Sequence, residues 1–175
     1  MLIISATNRD NSNTYKLAEL YREWLTQRQI SHELMDLSQL PEDFVFSALY
    51  GKMGTNPEFN KFQEIVDRHD KIIFIVPEYN GSFPGILKCF FDGLRYPGTL
   101  EGKKATFTGL SSGPLGSAVA ISHLNDIMHY FSVTVLPVTP RLGFVDKDFD
   151  REHYTISNPI FLELARQQLD QFERF

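Results

Sequence analysis

Short apolar runs alternate along this chain with longer stretches of helical period. Leu2 to Ser5 is the first candidate strand. Leu17, Leu20, Tyr21, Trp24 and Leu25 then recur at the spacing of an amphipathic helix, predicted over about Asn13 to Arg28. Glu33 to Leu37 is a weaker strand. Ile72 to Val76 is apolar at every position, as in a central parallel strand covered on both faces. Ala105 to Leu110 and Val133 to Val138 supply two more strands.

Helical patterns fill the intervals. Asn56-Pro57 reads as a cap followed by a first turn, with Phe59, Phe62, Ile65 and Val66 behind it. Pro84 opens a helix carrying Ile86, Leu87, Phe90, Phe91 and Leu94. A further helix spans Gly116 to Phe131, with Val119, Leu124, Ile127 and Met128. The last starts at Asn158-Pro159 and carries Phe161, Leu162, Ala165, Leu169 and Phe172. Strand and helix thus alternate about five times, which predicts an α/β protein. The natural topology for that count is a flavodoxin-like three-layer sandwich, a five-stranded parallel sheet in order 2-1-3-4-5 with helices on both faces. No repeat, low-complexity tract or linker interrupts the series, so residues 1–175 read as a single domain.

Two stretches depart from the rhythm. Leu40 to Thr55 is a long connection containing Phe44, Phe46, Leu49, Tyr50 and Met53. It is too apolar to be free, so it packs either over a site or partner subunit or onto its own core. Arg141 to Ser157 is polar and is expected at the surface.

Composition narrows the function. The formal net charge is −5 and the 17 Lys and Arg are scattered, which argues against nucleic acid and anionic membranes as partners. Cys89 is the only cysteine, so no internal disulfide forms. No apolar run approaches the ~18 residues of a membrane span. The chain opens directly into Leu2-Ile3-Ile4 without a basic leader, and the expectation is a cytoplasmic protein.

In an open parallel sheet, ligands bind beyond the carboxyl ends of the strands where the strand order reverses. Three loops lie there. Ser5 to Thr14 is rich in hydroxyls and amides, includes Arg9 and leads from a strand into a helix, an arrangement suited to a phosphate. The competing reading is an ordinary polar turn with Ser12 or Asn13 as N-cap. Pro77-Glu78-Tyr79-Asn80-Gly81-Ser82-Phe83-Pro84-Gly85 offers rigid backbone and aromatic surface along which a flat heterocycle can lie, or else a plain turn capped by Ser82. Ser111-Ser112-Gly113-Pro114-Leu115-Gly116 can approach such a ring from its other edge.

Thr7-Asn8-Arg9 through Ser12-Asn13-Thr14, together with the segment from Pro77 to Ser82 and the Pro-Gly-x-Leu-Lys that ends at Lys88, resembles the NADPH-dependent FMN reductase family. The resemblance runs from Leu2 to about Phe131. It implies bound FMN, NAD(P)H as donor, a small-molecule acceptor (flavin, quinone, azo compound or metal oxyanion) and a homodimer or homotetramer. It assigns Thr7, Arg9, Ser12, Asn13 and Thr14 to the FMN phosphate. Pro77, Glu78, Tyr79, Asn80 and Gly81 are assigned to the isoalloxazine, and Ser111, Ser112 and Gly113 to closure of the ring site. No catalytic side chain and no metal ligand is implied, because the flavin carries the chemistry. Ala6, Cys89 and Pro114-Leu115 depart from the family's usual residues.

Two rivals remain. A flavodoxin-type electron carrier shares the fold but usually has a more acidic surface. A serine esterase is the other: Gly109-Leu110-Ser111-Ser112-Gly113 matches Gly-x-Ser-x-Gly after a strand, and Asp150 and His153 follow in the right order. Asp146, Asp148 and Asp150 are spaced like calcium ligands, but Arg151 and Ser157 stand where Gly and Glu are required.

Overall fold

Chain order and sheet order differ in one informative way. A computed structural model describes residues 1–175. The main sheet is built from β1 (Leu2–Ser5), β2 (Glu33–Asp36), β3 (Lys71–Pro77), β4 (Lys104–Leu110) and β5 (Thr134–Val135), all parallel and in order β2-β1-β3-β4-β5. The chain starts in the middle, crosses to one edge and returns to build the other. The reversal therefore falls between β1 and β3, and their carboxyl ends leave a crevice there.

The long helices are α1 (Asn13–Gln27), α3 (Pro57–Asp67), α4 (Gly85–Gly93), α5 (Ala118–Tyr130) and α7 (Pro159–Arg174). Their starts follow from local chemistry. Ser12 is extended and its Oγ accepts the Tyr15 N–H at 3.1 Å, while Asn56 and Asn158 cap α3 and α7 ahead of Pro57 and Pro159.

Strand alternation decides which helices cover which face. Ile72, Phe74 and Val76 point to one side, with the buried residues of α3, α4 and α5. Ile73 and Ile75 point to the other, with Leu17, Tyr21 and Leu25 of α1 and Phe161, Ala165 and Phe172 of α7. Three layers result, as predicted, and β3 is apolar throughout because both its faces are covered.

The fifth strand is shorter than the predicted Val133 to Val138. Only Thr134–Val135 pairs with Lys104 and Ala105. Pro137 and Pro140 lack the N–H a ladder needs, so the chain leaves the sheet there. It rejoins as β6 (Arg141–Leu142), which pairs in parallel with Gly109 and Leu110 at the carboxyl end of β4. A sixth short strand thus extends the sheet beside the crevice.

The Arg141 to Ser157 segment also differs from its expected polar surface position. It forms β6, the short helix α6 (Val145–Asp148) and an antiparallel pair, β7 (Phe149–Asp150) with β8 (Thr155–Ile156). Leu142, Val145, Phe149 and Ile156 are buried against the α1–α7 face. One apolar residue every few positions anchors a segment that looks polar on average. In the 40–55 connection, Leu40, Phe44, Ala48 and Leu49 pack on the core, with α2 (Phe44–Ser47) as one helical turn, while Phe46 and Tyr50 stay exposed.

Between the sheet and α7 lies a closed polar network. Gln168 is fully buried; its amide donates to Thr106 Oγ1 and the Phe107 carbonyl, each at 2.8 Å. Its carbonyl accepts from Tyr21 Oη at 2.9 Å and from Thr108 Oγ1 at 3.1 Å. Burial pushes the Tyr21 phenol well above its ordinary pKa, so it remains a neutral donor. Gln168→Leu leaves the Tyr21 hydroxyl hydrogen without its acceptor and removes the donor to the Phe107 carbonyl, while Thr106 Oγ1 keeps its bond to the Val138 carbonyl. It is expected to cost about 1–3 kcal/mol in a denaturant titration; an unchanged midpoint would mean the network relaxes around the loss.

Candidate functional site

The crevice holds a cavity of about 710 Å³. That lies within the ~300–1,000 Å³ usual for small-molecule and cofactor sites. Its floor is the carboxyl ends of β3 and β4, at Pro77 and Leu110. One wall is the loop after β1 with the first turn of α1 (Arg9, Asp10, Asn11, Ser12, Asn13 and Thr14). A second is Glu78 and Tyr79; a third is Ser111, Ser112, Gly113, Pro114 and Leu115; Val145, Asp146 and Arg151 complete the ring.

The first wall is suited to an anion. The amides of Asn13 and Thr14 open α1 and have no acceptor within the protein, and the helix dipole adds positive potential there. Arg9 makes no ion pair and reaches the rim. The opposite end is suited to a flat polar ring, with Pro77, Tyr79, Leu110 and Leu115 as apolar surface. Two residues of the lining, Asn13 and Glu78, each hold a buried oxygen, Oδ1 and Oε2, without any hydrogen-bond partner. A buried polar atom left unpaired is costly, so a ligand donating hydroxyl or N–H groups there is stabilised.

Most of the residues singled out from sequence converge on this cavity: Arg9, Ser12, Asn13, Thr14, Pro77, Glu78, Tyr79, Ser111, Ser112 and Gly113 all line it. Thr7, Asn80 and Gly81 do not. Thr7 is fully buried behind the wall; its Oγ1 lies 2.9 Å from Tyr79 Oη and accepts the Arg9 N–H at 3.2 Å. It braces the first loop against the second. Asn80 and Gly81 form the tip of a tight turn, with φ of 52° and 74°. Tyr79 and Ser82 exchange both backbone bonds across it, at 2.8 and 3.1 Å. Asn-Gly is the pair that a turn with two left-handed central residues favours. It holds Tyr79 at the cavity edge.

Asp146 and Arg151 were missed by sequence reading because their segment looked like surface. Asp146 accepts from Asn13 Nδ2 at 2.9 Å and from Ser112 Oγ at 2.8 Å, which splints the first wall to the third. Only the spacing of apolar residues through Arg141 to Ser157 could have signalled that this segment folds back.

Ser111 does not form a nucleophile–base pair. Its Oγ donates to the Gly113 carbonyl at 2.8 Å and accepts the Gly116 N–H at 2.9 Å. His153 Nδ1 lies 2.8 Å from Asp150 Oδ2, and neither residue lines the cavity. That bond holds the Asp150 carboxyl below its ordinary pKa, on the exposed β7–β8 turn. The geometry does not favour an esterase.

An open parallel sheet in this order, with a helix starting at its switch point, defines a flavodoxin-like architecture. Comparison with known proteins places it further. The profile of the NADPH-dependent FMN reductase family matches residues 1–144, and the chain belongs to that family. An FMN-dependent NADPH-azoreductase of Staphylococcus aureus is 29% identical over 187 aligned positions, covering 99% of this chain and 93% of that one. A 2-hydroxy-1,4-benzoquinone reductase of a Burkholderia species is 28% identical over 124 residues, which cover 62% of this chain and 66% of that one, just under two thirds of its length. Among solved structures, the apo form of the NADH:FMN oxidoreductase EMOB superposes with a TM-score of 0.79 at 20% identity, covering 98% of this chain and 86% of that one. At that identity the likeness supports the fold. No helix is long and apolar enough to cross a membrane.

Proposed function

We propose that this protein binds FMN in the 710 Å³ cavity and acts as an NAD(P)H-dependent reductase of small acceptors such as quinones, azo compounds or free flavin. The observation that carries the reading is the pairing of free amides at the start of α1 with two partnerless buried acceptors, Asn13 Oδ1 and Glu78 Oε2, on residues lining one cavity. FMN carries a phosphate for the first and hydroxyl and N–H donors for the second. Family membership and the full-length azoreductase relative support the same assignment.

In this reading the chain's own residues bind and orient. The Asn13 and Thr14 amides, the Ser12 hydroxyl and Arg9 hold the phosphate. Pro77, Glu78 and Tyr79 form the bed for the ring, and Ser111, Ser112 and Gly113 close its far edge. Thr7 fixes Tyr79 from behind, and the Asn80-Gly81 turn fixes it from in front. The bound flavin would supply the redox chemistry, taking hydride from a reduced nicotinamide and passing electrons to the acceptor.

Two finer points belong to the same proposal. Tyr50, Tyr96 and Tyr130 are 59–71% exposed around one apolar face beside α4 and α5, which supports a homodimer built on that face; a homotetramer would add a second contact. A cytoplasmic location accords with use of NAD(P)H and with the lone thiol of Cys89.

The test is an absorbance spectrum. Purified protein is incubated with FMN, freed of unbound flavin and mixed with NADPH without oxygen. Retained yellow flavin that bleaches is the expected result. Flavin that stays oxidised would argue against the reductase activity, and complete loss of flavin would argue against the cofactor.

A further inference from the structure

We infer that Arg151 is a phosphate-binding residue of the cavity and sets a preference for the phosphorylated flavin over the bare one. The inference rests on the flavin reading above. Arg151 lies beyond the stretch matched by the family profile, which ends at residue 144, and it follows directly on β7. It nevertheless forms part of the cavity wall.

Its position is fixed by the first loop. Nη2 donates to the Asn11 carbonyl and, at 2.6 Å, to Asn11 Oδ1. Asn11 has a φ of 48° and directly precedes Ser12, the cap of α1. The guanidinium is therefore held at the positive end of that helix, where the free Asn13 and Thr14 amides lie. Cations normally stabilise the opposite end of a helix and are disfavoured at this one. Asp10, Glu78 and Asp146 line the same cavity, but none lies within ion-pair distance of the guanidinium. Asp146 instead accepts from Asn13 and Ser112. The Nε and Nη1 donors have no protein acceptor.

The free Nε and Nη1 donors of Arg151, an Arg9 without an ion pair and two free amides thus gather at the α1 end of one cavity. A phosphate dianion there takes the remaining donors of the fork together with the free amides. Flavin without the phosphate gains none of this. The segment from Val145 to Arg151 thus acts as a fourth wall, with Asp146 as its splint and Arg151 as its anion contact.

The experiment titrates apoprotein with FMN and, separately, with riboflavin, following quenching of flavin fluorescence. Wild type is compared with Arg151→Ala and Arg151→Gln. The glutamine variant keeps an amide that can hold Asn11 while removing the charge. Thermal unfolding of each variant reports on folding. In both variants FMN affinity is expected to fall by about tenfold to a hundredfold, the range for hydrogen bonds to a charged group. Riboflavin affinity is expected to stay within about twofold, and added salt should narrow the FMN difference. Equal losses for both flavins would assign Arg151 a purely structural role and overturn the inference. So would unchanged FMN binding in the glutamine variant. Failure of wild type to bind either flavin would instead overturn the cofactor reading on which this one stands.

Discussion

Gly109→Val is expected to give a protein that retains no flavin and melts on the order of 10 °C below wild type. Gly109 is the penultimate residue of β4, paired with Val76 on one side and Arg141 on the other. A Cβ there would stand 2.2 Å from the Gly116 carbonyl oxygen, 2.7 Å from Ile121 Cδ1 and 2.9 Å from Ser117 Cβ. The first of these is backbone and cannot rotate away. Gly116 is itself pinned: its φ is 56°, and a Cβ built on it would meet Arg141 Cβ at 2.8 Å. Neither the strand nor the loop can yield without opening the other. Overpacking of this kind costs about 1–3 kcal/mol, and more where backbone must shift. Each ~1 kcal/mol is worth about 2–4 °C in a domain of this size. The loop that must move is Ser111 to Gly116, one wall of the cavity. Gly109→Ala should show the same effect at smaller amplitude. Flavin retention and a melting curve measure both parts; a valine variant that binds FMN with wild-type affinity would show that the β4–α5 turn is not a rigid wall.

That same loop marks the boundary of what the sequence disclosed. Strands β1, β3 and β4 were legible because both their faces are buried and their apolar runs are nearly unbroken. The helices were legible from period and from caps such as Ser12 and Asn56. The crevice followed from strand count and the switch-point rule, which is why ten residues chosen from the loops after β1, β3 and β4 meet in one cavity. The misses share a cause. Pro137 and Pro140 divide what reads as one strand, and the hydrogen bonds of β6 to Gly109 and Leu110 depend on tertiary placement that no local window contains. Asp146 and Arg151 sit 133 and 140 residues from their partners Asn13 and Asn11. Their polar neighbours make the segment look solvated, although Leu142, Val145, Phe149 and Ile156 carry it into the core. Thr7 shows the converse. Its residue type suited a phosphate loop, but burial turned its hydroxyl toward Tyr79, so it supports the site from behind.

Phe59→Ala is expected to be the most destabilising single truncation on the α3–α5 side of the sheet, while leaving flavin affinity unchanged. Phe59 projects from the first turn of α3 and is almost completely buried. Its ring stacks on Phe44 at 5.4 Å between centroids with the planes 6° apart, and meets Phe90 at 6.1 Å and Phe62 at 6.5 Å. Phe44 is the anchor of the 40–55 connection, and Phe90 belongs to α4, so one side chain ties three elements together. Gly93 of α4 lies close enough that a Cβ built there would stand 2.5 Å from the ring. That fit leaves the backbone little freedom to collapse into the space vacated by the ring. Truncation of a buried Phe costs about 3–5 kcal/mol, and an unrelaxed void lies at the upper end. The midpoint of thermal unfolding should fall by on the order of 10 °C. Phe59 contributes nothing to the cavity lining, so FMN should bind the variant with the wild-type constant. Saturating FMN should then stabilise the two proteins by equal increments, because ligand stabilisation depends only on concentration relative to the dissociation constant. A variant whose FMN affinity dropped along with its stability would show that the phenylalanine cluster and the crevice behave as one cooperative unit, and that the sheet does not isolate the site from the core beneath it.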